Sequence, residues 1–342
     1  MAQVPLRHLG TNGPLVPALG FGCMGLSQSY GPAGDDESRL KVLDKAHEIG
    51  ARLWDTSDVY GDNEDLLGAW FARTGKRSDI FLCTKFGVKA TPGKPYEIRS
   101  DPAYVREACE KSLKRLGVSQ IDVYYCHRVD LKTPIEKTIA AMVELKREGK
   151  IAHIGLSEIS AATLRRAHKV HPIAAVQLEY SPFALDIESP EVGLLSACNE
   201  LGVAVVAYSP LGRGFLTGQL KSPDQFADGD FRKTAPKFSR ENWSQNMRLV
   251  ESLTAIAQTK GCTPGQLALA WVLKQGDNIV AIPGTKRIKY LEENMAALNV
   301  DLTEEDVKSI REQVNKNKSV GKRYAGFLEH YSLGETPPLT EA

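Results

Sequence analysis

Ile121-Asp-Val-Tyr-Tyr-Cys-His127, then Thr133-Pro-Ile-Glu-Lys-Thr-Ile-Ala-Ala-Met-Val-Glu-Leu-Lys-Arg-Glu-Gly149, then His153-Ile-Gly-Leu156, is the stretch that decides the architecture. The first run is short, apolar and rich in aromatic and β-branched residues, which suits a strand covered on both faces. The second opens on Pro, carries apolar residues at helical spacing and stops at Gly. The third reads as a strand again. Strand, helix and strand in that order is one unit of a parallel sheet.

The pattern recurs on both sides. Ala18–Cys23, Arg52–Asp55, Ile80–Lys85, Ala174–Leu178, Val203–Tyr208 and Ile279–Ile282 join Ile121–His127 and His153–Leu156 to make eight candidate strands. Asp36-Glu37-Ser38 opens a helix that runs to Gly50, and Asp101-Pro102 opens one that ends at Gly117. Ser160 caps another, Pro190 begins one that stops at Gly202, and Thr263-Pro264 starts the helix before the last strand. Eight such units predict an α/β fold closed into a (β/α)8 TIM barrel, with a doubly wound open sheet as the alternative. A hairpin over about residues 5–19, turning at Thr11-Asn12-Gly13, precedes the barrel of about 18–315. A polar tail, 316–342, is expected over one mouth of the barrel. No Pro/Gly/Ser-rich linker divides the chain, so 1–342 reads as one domain. The irregular stretch from Gly218 to Asn242 is long enough to predict a functional or mobile loop.

Hydrophobic residues make up 42% and charged residues 25%, and 43 basic side chains nearly balance 42 acidic ones. With no basic tract, a nucleic-acid partner or an anionic membrane surface is not expected. No apolar run is long enough to span a bilayer. Met1-Ala-Gln-Val-Pro-Leu-Arg-His lacks the charged-then-apolar layout of a signal peptide. Six scattered cysteines without a Cys-x-x-Cys pair read as reduced thiols, neither a disulfide frame nor a zinc site. A cytoplasmic protein without a metal is the expectation. Cys126 beside His127 reads as a small strand residue, because adjacent strand residues face opposite ways.

Gly20-Phe-Gly22-Cys-Met-Gly25 matches the glycine pattern of a dinucleotide-binding turn, and Asp55 ends the next strand. In that turn a helix begins among the glycines and points its N-terminus at the pyrophosphate. Here Leu26 to Asp35 intervene before a helix can start. Close backbone approach at the barrel mouth is the better use for these glycines.

Barrel active sites lie at the C-terminal ends of the strands. Those ends carry Asp55, with Tyr60 just beyond it, Lys85 and His127. An acid, a phenol, a lysine and an imidazole brought to one face suit proton transfer to a carbonyl oxygen. A tyrosine with an ordinary pKa of about 10 donates well only if a neighbour eases its ionisation. A cationic Lys85 would stabilise the phenolate, Asp55 would keep Lys85 charged and aimed, and His127 would orient the substrate oxygen. The same lysine as a Schiff-base nucleophile is the competing chemistry, but a charged lysine is a poor nucleophile.

Seven segments at these positions carry a resemblance. They are Asp55-Thr-Ser-Asp-Val-Tyr60-Gly61, Thr84-Lys85-Phe86, His127-Arg-Val-Asp130, Gly155-Leu-Ser157-Glu158, Gln177-Leu-Glu-Tyr180, Tyr208-Ser-Pro-Leu-Gly-Arg-Gly214 and Ile282-Pro-Gly-Thr-Lys286. From Leu6 to about Asn315 the chain resembles the aldo-keto reductases. The Tyr208–Gly214 segment, with Asp230-Phe-Arg and Pro236-Lys-Phe, is similar to the pyridoxal reductase and perakine reductase branch.

The resemblance implies carbonyl reduction with Tyr60 as general acid, Lys85 and Asp55 assisting, His127 positioning the carbonyl, and NADPH as the hydride source. It implies Tyr208 against the nicotinamide ring, with Ser157 and Gln177 on the carboxamide. Ser209, Leu211, Gly212, Arg213 and Gly214 would pass the pyrophosphate, and Gly22, Cys23, Met24 and Asp55 would lie along the cofactor. Thr285, Lys286 and Arg287, after Gly284, would take the 2′-phosphate, and Glu293 and Asn294 the adenine. A hydroxyl and two adjacent cations favour NADP over NAD. Three positions depart from the family pattern: Glu158 replaces a common Asn, Gly284 a common Lys, and Tyr290 a common Arg. Tyr30, Phe86, Tyr96, Arg128, Phe231, Arg232 and Phe238 are candidates to line the substrate pocket, which suggests an aromatic or heteroaromatic, pyridoxal-like aldehyde. The same residues would serve an aryl-alcohol dehydrogenase, and a nucleotide-binding regulatory subunit with little turnover is the further alternative.

Overall fold

The strand-like runs line up side by side and in one direction. The computed structural model describes residues 4–11, 13–91 and 93–340, so the first three residues and Asn12 of the expected hairpin turn lie outside it. In chain order the elements are β1 (Leu6–His8), β2 (Leu15–Pro17), β3 (Phe21–Gly22), α1 (Asp36–Glu48), β4 (Leu53–Asp55), α2 (Asn63–Thr74) and β5 (Phe81–Phe86). A small hairpin of β6 (Val88–Lys89) and β7 (Glu97–Ile98) follows, then α3 (Pro102–Leu116), β8 (Ile121–Cys126), α4 (Ile135–Arg147), β9 (Ile151–Ser157) and α5 (Ala161–Val170). The chain continues through β10 (Ala175–Glu179), α6 (Leu194–Leu201), β11 (Ala204–Tyr208), α7 (Arg240–Thr259), α8 (Pro264–Leu273) and β12 (Ile279–Ala281). It ends in α9 (Ile288–Met295), α10 (Glu304–Lys316) and α11 (Phe327–His330).

Strands β3, β4, β5, β8, β9, β10, β11 and β12 form one parallel sheet in that order. Parallel bridges pair Leu19 with Ala281 and Gly22 with Gly284, joining the two edges. The sheet is thus a (β/α)8 barrel. Its interior is filled by Leu53, Cys83, Val123, Tyr125, Val206 and Val280, and Leu9 and Val16 of the β1–β2 hairpin plug the N-terminal end. Arg7 ties that hairpin to the barrel by donating to the carbonyls of Leu273 and Gly276 at 2.6 and 2.8 Å. A larger apolar layer packs between the strands and the outer helices.

Several helix starts follow the capping signals. The side chains of Asp101, Ser160 and Thr263 accept from backbone N–H groups of the first turn. Others shift. Asp35, one residue before the expected start, caps α1 by accepting from the Ser38 N–H at 2.7 Å. The helix expected at Pro190 begins at Leu194, because Gly193 takes a left-handed φ of 59° and closes a turn on Ser189 first. The Gly20 and Gly22 positions serve packing: a Cβ on Gly22 would lie 2.8 Å from the Ile282 carbonyl, and one on Gly20 would meet Leu53. That approach is what lets β3 close against β12.

The stretch from Gly218 to Asn242 is a chain of single helical turns that ends inside α7. It is pinned, since Arg232 grips Asp230 through two hydrogen bonds and donates to the Arg213 carbonyl at 3.0 Å. The tail past α10 crosses the C-terminal mouth of the barrel and adds a bridge between Gly334 and Ile159. All six cysteines are free thiols and five are buried. Among the described residues no helix is long and apolar enough to cross a membrane.

Candidate active site

Strand periodicity gathers the site. Leu53 and Asp55 on β4, Cys83 and Lys85 on β5, and Val123, Tyr125 and His127 along β8 are two residues apart, so each series shares the inward face. The inner end of each series is apolar core and the outer end is polar. Phe86 and Cys126, one residue out of step, point the other way into the helix-facing layer. Phe86 stacks on Tyr124 at 4.9 Å and does not reach the cleft, which corrects its assignment to the substrate pocket.

Lys85 is fully buried. Its ammonium donates to Asp55 Oδ1, to the Thr56 carbonyl at 2.7 Å and to the Tyr60 hydroxyl at 3.5 Å. Asp55 Oδ2 accepts from Gln177 Nε2 at 2.7 Å, so both carboxylate oxygens are held. Burial alone would favour a neutral Lys85, but the facing Asp55 and Tyr60 outweigh it and push its pKa up to about 12. Tyr60 lies in the loop between β4 and α2. Arg115 of α3 clamps that loop by donating to the Asp58 and Gly61 carbonyls at 3.1 and 2.5 Å. Burial raises the Tyr60 pKa above its ordinary value, with Lys85 pulling the other way, so the phenol carries its proton at neutral pH.

The His127 ring stands edge-on to Tyr60, centroids 5.9 Å apart. Burial, with Lys85 and Arg128 nearby, holds its pKa well below the usual imidazole range, and the ring is neutral. Its Nδ1 lies 3.2 Å from the Ser57 hydroxyl. A neutral imidazole with one nitrogen occupied by a hydroxyl can present the other to a ligand.

These groups open into a cavity of about 610 Å³ that runs from Tyr60 and Tyr96 to Glu293 and Asn294. Of the residues read as cofactor-binding, Gly22, Met24, Asp55, Ser157, Gln177, Tyr208, Ser209, Leu211, Arg213, Gly214, Gly284, Thr285, Lys286, Arg287, Glu293 and Asn294 line it. Cys23 does not, because its side chain is fully buried with the thiol toward the Phe21 carbonyl. Gly212 does not either; a Cβ there would meet Phe183 and Leu216 in the core. Tyr30, Tyr96, Arg128, Phe231 and Arg232 line the cavity, whereas Phe238 packs among Phe183, Phe215 and Phe226.

The cavity fits an extended dinucleotide. At one end the Tyr208 ring lines the wall while its hydroxyl is tied back by Glu158 at 3.0 Å. In the middle the 209–214 turn carries two non-glycine residues at positive φ, Ser209 at 49° and Arg213 at 58°, a conformation retained where a backbone must be presented. At the other end Arg287 is exposed and lies over the Tyr290 ring. Lys286 has a further role: its ammonium donates to the Tyr30 and Pro32 carbonyls at 2.8 and 2.7 Å and straps that loop across the cleft, with a third N–H left for a ligand.

Sequence reading missed the contribution of the tail. Tyr324 and Leu328 line the cavity. Arg323 holds Glu158 through two hydrogen bonds of 2.9 and 3.0 Å, and Arg213 donates to the Arg323 carbonyl at 3.1 Å. Arg323 and Arg128 overcome burial and keep the Glu158 carboxylate ionised, with its pKa at about 2. A glutamate just past a buried strand demands a cationic partner, and that demand was the available signal for Arg323.

Comparison with known proteins places the chain in a family. The model of the Aldo/keto reductase family matches residues 18–315. Aldo-keto reductase str7 of Strobilurus tenacellus is 53% identical over 94% of this chain and 95% of its own length. Aldo-keto reductase yakc [NADP(+)] of Schizosaccharomyces pombe is 49% identical over 98% of this chain and 99% of its own. Among solved structures, the glycerol dehydrogenase AKR11B4 from Gluconobacter oxydans superposes with a TM-score of 0.81 at 25% identity, covering 100% of both chains. A closed parallel barrel, a buried Lys–Asp pair beside a tyrosine and a histidine, and a family match that runs from β3 through α10 lead to one statement: the chain belongs to the aldo/keto reductase family.

Proposed function

We propose that this protein is an NADPH-dependent reductase of aldehydes or ketones, with an aromatic or heteroaromatic, pyridoxal-like carbonyl as substrate. The observation that carries the reading is the buried Lys85 ammonium held between Asp55 and the Tyr60 hydroxyl at the cavity floor. The NADP(+) designation of the yakc relative and the cations at Lys286 and Arg287 support the phosphorylated cofactor. Aromatic lining from Tyr30, Tyr96, Phe231 and Tyr324 supports the substrate class and the pyridoxal reductase branch. The whole chain acts as one domain, in the cytoplasm.

Tyr60 and His127 hold the carbonyl oxygen, each through a donated hydrogen bond. For His127 to donate, its ring proton must reside on Nε2, the tautomer in which Nδ1, 3.2 Å from the Ser57 hydroxyl, accepts. NADPH, when bound, supplies the hydride that forms the new C–H bond, which no side chain can supply. As negative charge grows on the carbonyl oxygen, Tyr60 transfers its proton and becomes a phenolate. Lys85 stabilises that phenolate, and Asp55 keeps Lys85 charged and aimed. Water returns the proton to Tyr60. Thr285, Lys286 and Arg287 take the 2′-phosphate. Ser209, Leu211, Arg213 and Gly214 follow the pyrophosphate, Glu293 and Asn294 flank the adenine, and Ser157 and Gln177 hold the carboxamide beside Tyr208.

Fluorescence titration with NADPH and with NADH, followed by a panel of aldehydes that includes pyridoxal, tests the reading. Tighter binding of NADPH and its consumption by aromatic aldehydes are expected. Tyr60→Phe should bind NADPH and lose turnover by roughly 10²–10⁴-fold. A Tyr60→Phe protein that reduces at the wild-type rate would overturn the assignment of the proton donor.

A further inference from the structure

Five charged side chains are buried together between His127 and the C-terminal segment. Arg128 is 5% exposed, Arg213 and Arg323 8% each, Glu158 0% and Glu179 2%. Arg213 pairs with Glu179 at 2.9 Å, and Arg323 takes both oxygens of Glu158. Arg128 is left to share Glu158, with Nη1 3.2 Å from Oε2 but outside hydrogen-bonding geometry. The one hydrogen bond from its guanidinium among the described residues is 3.5 Å long, to the Tyr324 hydroxyl. Further out, Lys237 and Asp186 face the same group and offset each other: Lys237 donates to the Phe183 carbonyl, and Asp186 lies 3.8 Å from Arg323. The balance of the cluster is one positive charge in excess, and it sits on the guanidinium whose donors are least used.

A buried cation without a full partner is costly, and a planar guanidinium with open donors matches a carboxylate or phenolate oxygen. Arg128 lines the cavity beside His127 and Tyr324. It follows β8, four strands round the barrel from β12, beyond which Thr285, Lys286 and Arg287 lie. The excess charge is therefore at the carbonyl end of the cavity, on the opposite side of the ring from the phosphate-type cations. We propose that Arg128 receives an anionic oxygen of the substrate, so that the enzyme selects ring carbonyl compounds bearing a carboxylate or an ionised phenol. This inference rests on the carbonyl-reductase reading above and narrows its substrate class.

The test compares 3- and 4-carboxybenzaldehyde with their methyl esters, and pyridoxal with its 3-O-methyl ether, under saturating NADPH. The wild-type enzyme should favour an anionic member of a pair in kcat/KM by roughly 10–100-fold, the worth of a buried charge-assisted hydrogen bond. Which pair discriminates tells carboxylate from phenolate. In Arg128→Gln the ratio within that pair should collapse toward one, whatever happens to the rates themselves, and Arg128→Lys should restore part of it. Equal loss on both members, with the ratio kept, would mean that Arg128 acts only by supporting Glu158 and overturns the proposal. Neutral members turned over as well as anionic ones by the wild-type enzyme also overturn it, while leaving the reductase reading intact. No turnover of any carbonyl would remove both.

Discussion

Tyr324 of the C-terminal segment and Tyr208 at the end of β11 meet hydroxyl to hydroxyl at 2.7 Å, 116 residues apart in sequence. The contact brings the tail to the barrel wall, and the Arg128 and Arg213 guanidinium groups pack on the Tyr324 ring at 5.5 and 4.8 Å. Tyr324→Phe keeps the ring and removes two hydrogen bonds, the 2.7 Å one with Tyr208 and the long, weak 3.5 Å one accepted from Arg128. Tyr208 retains its bond to Glu158, so the cost should be near 1 kcal/mol, a fall in Tm of about 1–3 °C. Thermal unfolding measures it, and an unchanged Tm would show that the hydroxyl pair adds nothing to docking of the tail.

Asp55→Asn should separate charge from shape at the cavity floor. The amide oxygen can still accept from Lys85, but its NH₂ then faces Gln177 Nε2, so Gln177 must turn its own amide. The fold survives because no buried atom is deleted. Lys85 loses the main influence that raises its pKa, and the Tyr60 phenolate loses support. Turnover of aldehydes should drop by roughly 10–100-fold with NADPH still bound. Wild-type kcat in this variant would sever Asp55 from the proton-transfer chain.

The pH profile follows from two directions of shift. His127 titrates well below the usual imidazole range, so reduction should show no inflection near pH 6.5. Tyr60 must be protonated to donate, and its pKa lies above the ordinary value, so kcat for reduction should hold steady from about pH 6 to 9 and fall only beyond about 10. Alcohol oxidation needs the phenolate and should rise over the same alkaline range. Initial rates in both directions across this range test the pair of assignments. A drop in reduction centred near pH 6.5–7 would point to a titrating His127.

Legibility in the sequence divides by physical cause. The barrel was readable because buried parallel strands make continuous apolar runs and their helices carry Pro and Gly at the ends. Strand ends carried Asp55, Lys85 and His127 to one mouth, whereas Ser157, Gln177 and Tyr208 were legible only through the family resemblance. Period-two alternation, applied to Phe86, places it outside, one residue from Lys85. Cys23 was misread because it sits between the lining residues Gly22 and Met24 while its own side chain turns into the core, and Phe238 because it shares the 218–242 stretch with the lining residues Phe231 and Arg232 yet packs among core phenylalanines. Lys286 was legible as a cation at the cleft, but its hold on the Tyr30–Pro32 loop depends on a loop path that periodicity does not encode. Arg323 and Tyr324 lie in an irregular polar segment, where no period constrains which residue points inward. Their partner, Glu158, stood out in the sequence only as a departure from the family pattern.

Glu158 provides the last test, because its ionisation holds the tail. Its folded pKa of about 2 lies below the roughly 4.3 of an unfolded glutamate. A carboxylate depressed by folding contributes stability that is present above the unfolded value and is lost as pH falls toward the folded one. The wild-type protein should therefore lose stability progressively between about pH 4.5 and 2. Glu158→Gln removes the charge at every pH and leaves Arg323 and Arg128 buried against a neutral amide, at a cost of about 3–5 kcal/mol near neutrality. Below about pH 4.3 the unfolded chain's Glu158 takes up a proton that the folded protein still refuses, so the stability gap between the two proteins should narrow. Urea unfolding of both at pH 7, 5 and 3.5 measures that gap directly. A gap of constant size would mean that folding leaves the Glu158 pKa unshifted, so that its charge does not hold the tail, and packing and neutral hydrogen bonds would do so instead.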